Sequence, residues 1–60
     1  MVWLVVNGLP DKRRTVFVLR YAEEMSLDEI AAVMNLGLGT VKSHLSLATQ
    51  EVRRHLGKRL

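Results

Sequence analysis

The stretch from Ser26 to Leu45, SLDEIAAVMNLGLGTVKSHL, constrains the fold of this chain more than any other. Ser26 and Glu29 have the S-x-x-E spacing of a capping box, in which each side chain bonds the backbone N–H of the other residue. Apolar residues then recur at the spacing of one helical face: Leu27, Ile30, Ala31 and Met34. The pattern predicts a short, capped amphipathic helix.

A tight turn and a second helix are predicted to follow. Asn35 tolerates the left-handed conformation of a helix C-cap, Leu36 can point back between the helices, and Gly37 can be the next N-cap. A small residue such as Ala31 lets two helices that cross steeply approach closely. The stretch is therefore predicted to form a helix-turn-helix. The second helix carries a second apolar stripe, which is predicted to be core: Leu38, Val41, Leu45, Ala48 and Val52.

The preceding segment is predicted to be a longer helix from Pro10 to about Glu24. Proline suits the first position of a helix because its missing N–H costs nothing there, and Asp11 suits the positive end of the helix dipole. The run TVFVLRY is also strand-like, but no helix breaker interrupts it. We expect the two aromatic side chains of this helix, Phe17 and Tyr21, to pack against the core residues Ile30, Val41 and Leu45.

The apolar start, MVWLVV, is strand-like by composition, but a lone strand has no partner in a helical domain. A short helical turn or an extended arm on the core is expected, with Trp3 buried internally or against a partner. The run is too short to cross a bilayer and lacks the features of a secretory signal. A soluble, cytoplasmic protein without a membrane partner is therefore expected.

Three regions follow from these patterns: an apolar arm or short helix (residues 1–8), the helical domain (residues 9–57) and a basic tail (residues 58–60). Sixty residues make one small domain, and no cysteine is present to form a disulfide or a thiolate metal site. The last helix is predicted to run to about His55, with Gly57 ending it and the tail fraying.

The charge is distributed unevenly. The chain carries a net +3; residues 42–60 hold five Lys and Arg against one Glu, or +4, whereas residues 11–29 hold four against five acids, or −1. A basic C-terminal half suits a polyanion, most often nucleic acid. An ordinary solvated surface is the alternative.

Catalytic and metal-binding patterns are not apparent. His44 and His55 are far apart and have no carboxylate or cysteine at ligand spacing. Helix capping and solubility explain the acidic residues at 23–29, and Gly37 and Gly39 do not form a phosphate-binding loop. We therefore expect no enzyme, no catalytic residue, no metal and no cofactor.

Three segments, LPDKRRTVFVLRY, MSLDEIAAVM and GTVKSHL, together resemble region 4 of bacterial sigma factors, most of all the extracytoplasmic-function type. The resemblance covers Leu9 to about Leu56. LuxR-type regulators also have a GTVK-like recognition helix, but usually a different first helix without the terminal LRY.

The resemblance implies an all-α fold, a small four-helix bundle with a helix-turn-helix and no wing. It implies that the recognition helix enters the major groove of the −35 promoter element and that the first helices dock on the β flap of RNA polymerase. An anti-sigma factor and a second copy, bound through the N-terminal arm, are further candidate partners.

The resemblance also implies which side chains face DNA. Most lie near the N-terminal end of the second helix, where a groove-entering helix presents its side chains. Thr40 is expected near the backbone, and Arg14, on the preceding long helix, close to phosphate. A solvated helix face is the alternative. The predicted DNA-binding set is Arg14, Thr40, Lys42, Ser43, His44, Ser46 and Leu47.

The chain also departs from that family. Leu47 and Thr49 stand where many members have Arg, and His44 replaces a common Arg. Without these guanidinium groups we expect weaker or different promoter recognition, through Lys42, Ser43 and a contact from Leu47 to a thymine methyl. Because the family's region 2 is not in the sequence, an excised domain or a stand-alone relative unable to initiate transcription alone is expected.

Two functions remain open at this point. The helix-turn-helix and the basic C-terminal half favour a DNA-binding module of transcription initiation. The missing arginines and the apolar arm favour a protein-interaction module that binds polymerase, an anti-sigma factor or a second copy without reading DNA.

Overall fold

Four helices make up the computed structural model, which describes residues 2–56 and the side chains of residues 4–55. They are α1 (Val2–Asn7), α2 (Asp11–Tyr21), α3 (Leu27–Met34) and α4 (Leu38–Leu56). No strand occurs in residues 2–56, so the predicted all-α bundle is confirmed. The predictions for the Trp3 side chain, for Gly57 and for the tail at 58–60 lie outside the described residues.

The N-terminal run forms a short helix rather than an extended arm. After α1 ends, the Gly8 N–H donates to the Val5 carbonyl (3.1 Å) and the Leu9 N–H donates to the Val6 carbonyl (3.0 Å). This turn buries Val6 and Leu9 against α4. The strand-like run is therefore helical, and it buries apolar side chains against α4 without needing a second strand.

The predicted bounds of α2 were wrong at both ends. Pro10 is the N-cap, with φ −56° and ψ 150°, and its carbonyl accepts the Arg14 N–H at 2.9 Å. The proline ring fixes φ near −65°, and this value is compatible both with an N-cap in the extended conformation and with the first residue of a helix. The helix ends at Tyr21, with Ala22 as its C-cap. Three residues after Tyr21, Glu24 takes a left-handed φ of 55°, and the Met25 N–H donates to the Leu19 carbonyl at 3.0 Å.

The helix-turn-helix prediction is confirmed in detail. Ser26 and Glu29 form the capping box at the start of α3, and Asn35 ends that helix in the left-handed conformation, with φ 55° and ψ 47°. Leu36 packs into the core, as predicted. The Val41 N–H donates to the Gly37 carbonyl at 3.0 Å, so Gly37 stands at the N-cap of α4.

Two clusters of buried residues form the core, and both use the inward face of α4. The first contains Val16, Ile30 and Val41, and the second contains Val6, Leu9, Ala48 and Val52. Leu45 packs against the first cluster. Four of the five residues in the predicted α4 stripe are therefore in the core, and Leu38, which is 38% exposed, is not.

The predicted aromatic packing was wrong. Phe17 packs against the second cluster, and Val16 takes the place beside Ile30 and Val41 that was expected for the aromatic residues. Tyr21 is 55% exposed and packs against Phe17, with ring centroids 4.8 Å apart and planes tilted by 49°. Which residues of α2 meet which cluster depends on how α2 crosses α4, and helical spacing alone does not specify that crossing.

Candidate nucleic-acid interface

The outward face of α4 is the candidate interface. The helix has 19 residues, which corresponds to a length of roughly 28 Å. Because Val41, Ala48 and Val52 face the other three helices, the opposite side of α4 is left to solvent. This exposed surface, called the α4 face below, consists of Thr40, Lys42, Ser43, Ser46, Leu47, Gln50, Arg53 and Arg54.

Most of the predicted DNA-binding residues lie together on the α4 face. Their exposure follows from their spacing, since they fall between the buried positions of the helical repeat. Leu47 is 41% exposed and is the one large apolar side chain among them. The five predicted residues that share this face are Thr40, Lys42, Ser43, Ser46 and Leu47.

His44 is less exposed than the other predicted DNA-binding residues of α4. It lies three residues after Val41 and four before Ala48, so its ring is directed toward the bundle and is half-buried. Its Nδ1 atom is buried and has no hydrogen-bond partner among the described residues. The structure therefore separates His44 from the predicted set.

Arg14 is also separated from that set. Its Nη2 atom lies 2.8 Å from Asp11 Oδ1, and its Nη1 atom lies 3.5 Å from the Asn7 carbonyl oxygen. These contacts tie the start of α2 to the end of α1. The neighbouring Arg13 instead reaches α4, where it lines a cleft with Gln50.

Two shallow clefts border the α4 face. The first, of about 340 Å³, lies beside the end of α2 and the start of α3 and includes Tyr21, Lys42 and Arg53. The second, of about 290 Å³, lies beside the first half of α2. Its lining residues are Arg13, Leu47, Gln50, Glu51 and Arg54. Cationic side chains therefore border both edges of the face.

Sequence reasoning missed Arg13, Gln50, Arg53 and Arg54. The three α4 residues had a detectable signal, because they stand seven or eleven residues after Lys42 or Ser43 and therefore repeat on the same helical face. Arg13 had no such signal. Its position beside α4 follows from the packing of α2 against α4, two helices that are distant in sequence.

Glu51 is the single acidic residue of α4, and it lies at the edge of the second cleft. Its carboxylate accepts a hydrogen bond from Arg54 Nη2, and its Oε2 atom lies 3.6 Å from His55 Nε2. The hydrogen bond from Arg54 lowers the pKa of Glu51; desolvation opposes this, and the charges of Arg54, His55 and Arg13 support it. The carboxylate therefore stays charged at neutral pH.

The Glu51–His55 contact corrects one sequence interpretation, that no carboxylate stands at ligand spacing from a histidine. Two residues do not make a metal centre, however. Within residues 2–56, no group of three or more His, Cys, Asp or Glu side chains could hold a metal ion.

Among the helices that the structure describes, none is long and apolar enough to cross a membrane.

Comparison with known proteins gives one family. Residues 1–56 match the family model described as "Sigma-70, region 4". The chain is 46% identical over 48 residues to the ECF RNA polymerase sigma factor SigW of Bacillus subtilis (strain 168), covering 80% of this chain and 26% of that protein. It is 44% identical over 52 residues to the RNA polymerase sigma-E factor of Streptomyces coelicolor, covering 87% of this chain and 29% of that protein.

A third relative is more distant. The chain is 38% identical over 53 residues to the RNA polymerase sigma factor FliA of Escherichia coli (strain K12), covering 88% of this chain and 22% of that protein. The chain spans less than a third of the length of each of these relatives. Since the family model matches nearly all of its residues, the chain belongs to the sigma-70 region 4 family, in the extracytoplasmic-function type.

Proposed function

We propose that this chain is a DNA-binding module of transcription initiation that reads the −35 promoter element with the α4 face. The observation that carries the proposal is the arrangement of α4. Its apolar stripe is buried, its polar side is exposed, and the Asn35 turn and the capped α3 support its N-terminal half. This is the arrangement that a recognition helix needs to enter a major groove about 12 Å wide.

The side chains of the α4 face suit both readout and positioning. Lys42 is proposed to contact phosphate or guanine, and the hydroxyls of Ser43 and Ser46 can bond base edges or the backbone. Leu47 is proposed to contact a thymine methyl. The described part of α4 carries Lys42, Arg53 and Arg54 against Glu51, or +2, and this charge supports affinity for a polyanion.

The proposal is tested by titrating labelled duplexes with the chain. Duplexes enriched from a random pool are compared with scrambled ones at about 50 and 200 mM salt. Binding should weaken steeply with salt and favour the enriched sequences. Lys42→Ala should weaken binding, whereas Lys12→Ala, which removes the same charge from the exposed side of α2, should not. Failure to bind any duplex at the lower salt concentration would contradict the proposal.

RNA polymerase is the second proposed partner, through docking on its β flap. A cleft of about 380 Å³ between α1 and the second half of α4 supports this part of the proposal. It is lined largely by apolar groups of Leu4, Val5, Leu9 and Pro10, and Leu4 is 77% exposed. A module that works with bacterial RNA polymerase acts in the cytoplasm, and no catalytic step of its own is needed.

A protein-interaction module with weak or no DNA reading is the alternative, and the exposure of Leu4 and Leu47 favours it. The partner would be polymerase, an anti-sigma factor or a second copy bound through α1. Sedimentation velocity over a wide concentration range separates the last case. A monomer throughout would count against self-association, and dimerisation abolished by Leu4→Asp would support it.

A further inference from the structure

We infer that Arg13 of α2 and Arg54 of α4 form a phosphate-binding pair on the edge of the α4 face beside Leu47. This inference rests on the proposed DNA-binding function and adds to it a contact made by two helices at once. Neither arginine was singled out from the sequence.

The pair lies in the second of the two clefts that border the α4 face. Arg13 and Arg54 line it together with Leu47, Gln50 and Glu51. Leu47 and Gln50 also belong to the α4 face, so the cleft is continuous with the surface that is proposed to enter the major groove. A strand of DNA at the edge of that groove presents its phosphates to whatever borders the recognition helix.

The two arginine side chains differ in exposure. The Arg54 side chain is 66% exposed and gives one Nη2 contact to Glu51, so most of its five N–H donors remain available to solvent or a ligand. Glu51 orients this side chain rather than covering it. Arg13 is half-buried in the cleft wall, and its charge acts on the Glu51 carboxylate.

The side chains of this cleft have a net positive charge. Arg13 and Arg54 contribute two positive charges and Glu51 one negative charge, so the cleft carries +1 and suits a singly charged phosphodiester. The opposite edge of the α4 face carries Lys42 and Arg53. Cations on both edges match a duplex groove, which is bounded by one phosphate strand on each side.

Leu47 interrupts the polar side chains at this edge of the α4 face. Leu47 has no hydrogen-bond donor, so the centre of this edge cannot hold a phosphate by itself. Arg13 and Arg54 supply donors in the same cleft. Because phosphates carry no sequence information, this pair should add affinity without adding discrimination.

The test is the salt dependence of duplex binding by the whole chain. Arg13→Ala and Arg54→Ala should each reduce the slope of log K against log salt by about 0.9. The loss of affinity should be the same for enriched and scrambled duplexes. Arg13→Lys and Arg54→Lys, which keep the charge, should restore the slope. Lys12→Ala is the matched control and should leave it unchanged.

Circular dichroism and thermal melting verify that each variant folds, and Arg13→Gln replaces Arg13→Ala if the latter does not. A wild-type slope in both folded arginine variants, together with a reduced slope in Lys42→Ala, would overturn this inference and leave the proposed function intact. A change confined to one base position would also overturn it, because it would indicate base contact. If the unaltered chain binds no duplex, the proposed function and this inference both fail.

Discussion

The Ser26 hydroxyl accepts a hydrogen bond from the Glu29 backbone N–H at 3.1 Å, while the Glu29 carboxylate accepts one from the Ser26 backbone N–H at 2.8 Å. Two backbone donors that α3 cannot satisfy internally are thereby paired. The pair defines where α3 begins, and α3 in turn supports the start of α4. Helix capping here therefore bears directly on the presentation of the α4 face.

Ser26→Ala should lower the free energy of unfolding by about 1 kcal/mol, because the N-cap acceptor is lost. Urea denaturation followed by circular dichroism measures the change. Ser43→Ala is the control, since Ser43 is an exposed serine inside α4 and should shift stability by no more than about 0.5 kcal/mol. Equal effects at the two serines would contradict the role of the cap.

Stability should also depend on the ionisation of Glu29. Its hydrogen bonds with the Ser26 backbone and side chain lower its pKa below the ordinary value of 4.5. A carboxyl whose pKa is lower in the folded state stabilises the fold above its ordinary pKa, and the contribution is lost as pH falls through the folded value. Thermal melting from neutral pH to below pH 4.5 should therefore show a steeper loss in the unaltered chain than in Glu29→Gln. Parallel curves would contradict the prediction.

Ile30 and Val33 test the packing of α3. Ile30 is fully buried against Val16 and Val41, whereas Val33 is 66% exposed. Ile30→Val should cost about 1 kcal/mol, because one buried methylene is lost and a cavity is left. Val33→Ala should change stability by no more than about 0.5 kcal/mol. The urea midpoints of the two variants are compared. A larger loss of stability at Val33 would indicate that the opposite side of α3 faces the core.

Two residues with positive φ should respond to glycine in a characteristic way. Asn35 and Glu24 both have φ of 55°, a conformation that costs side-chain-bearing residues roughly 1 kcal/mol and costs glycine little. Asn35→Ala should destabilise the chain, and Asn35→Gly should not. Glu24→Gly should stabilise it by up to about 1 kcal/mol, whereas Glu23→Gly, at a position without positive φ, should not. Thermal melting checks all four variants.

Leu47→Arg should strengthen DNA binding by the α4 face. Leu47 is exposed, so the new guanidinium can reach phosphate or guanine without disturbing the core. The salt slope should rise in magnitude by about 0.9 if it meets phosphate. Leu4→Arg adds the same charge on α1 and should have a smaller effect. Equal gains from the two variants would indicate a general charge effect rather than a contact of α4.

The predictions that the structure confirmed rest on short spacings. The Ser26–Glu29 cap, the left-handed Asn35 and the buried positions Val41 and Ala48 depend on residues no more than four apart or on the conformational preference of one residue. Backbone geometry alone relates such residues. Sequence reasoning therefore located the helix-turn-helix and most of the α4 face.

Several of the corrections concern contacts between helices. Phe17 packs against the cluster around Ala48 rather than the one around Ile30, and Tyr21 lies at the surface. His44 turns toward the bundle, whereas Ser43 and Ser46 of the same helix are exposed. The spacing of residues in one helix does not say which neighbouring helix covers each side of it.

By itself, then, the sequence determined three of the four helices, the caps of α3, and the division of the last helix into one apolar side and one polar, basic side. Tertiary structure alone decided that Arg13 of α2, rather than Arg14, stands beside Leu47 and Arg54. Arg14 is held instead by Asp11 at the start of α2 and by the Asn7 carbonyl at the end of α1. The physical reason is the separation along the sequence over which each effect acts. Helical periodicity acts over three or four residues, whereas the crossing of α2 over α4 is set by the packing of side chains more than twenty residues apart, such as Val16 and Val41.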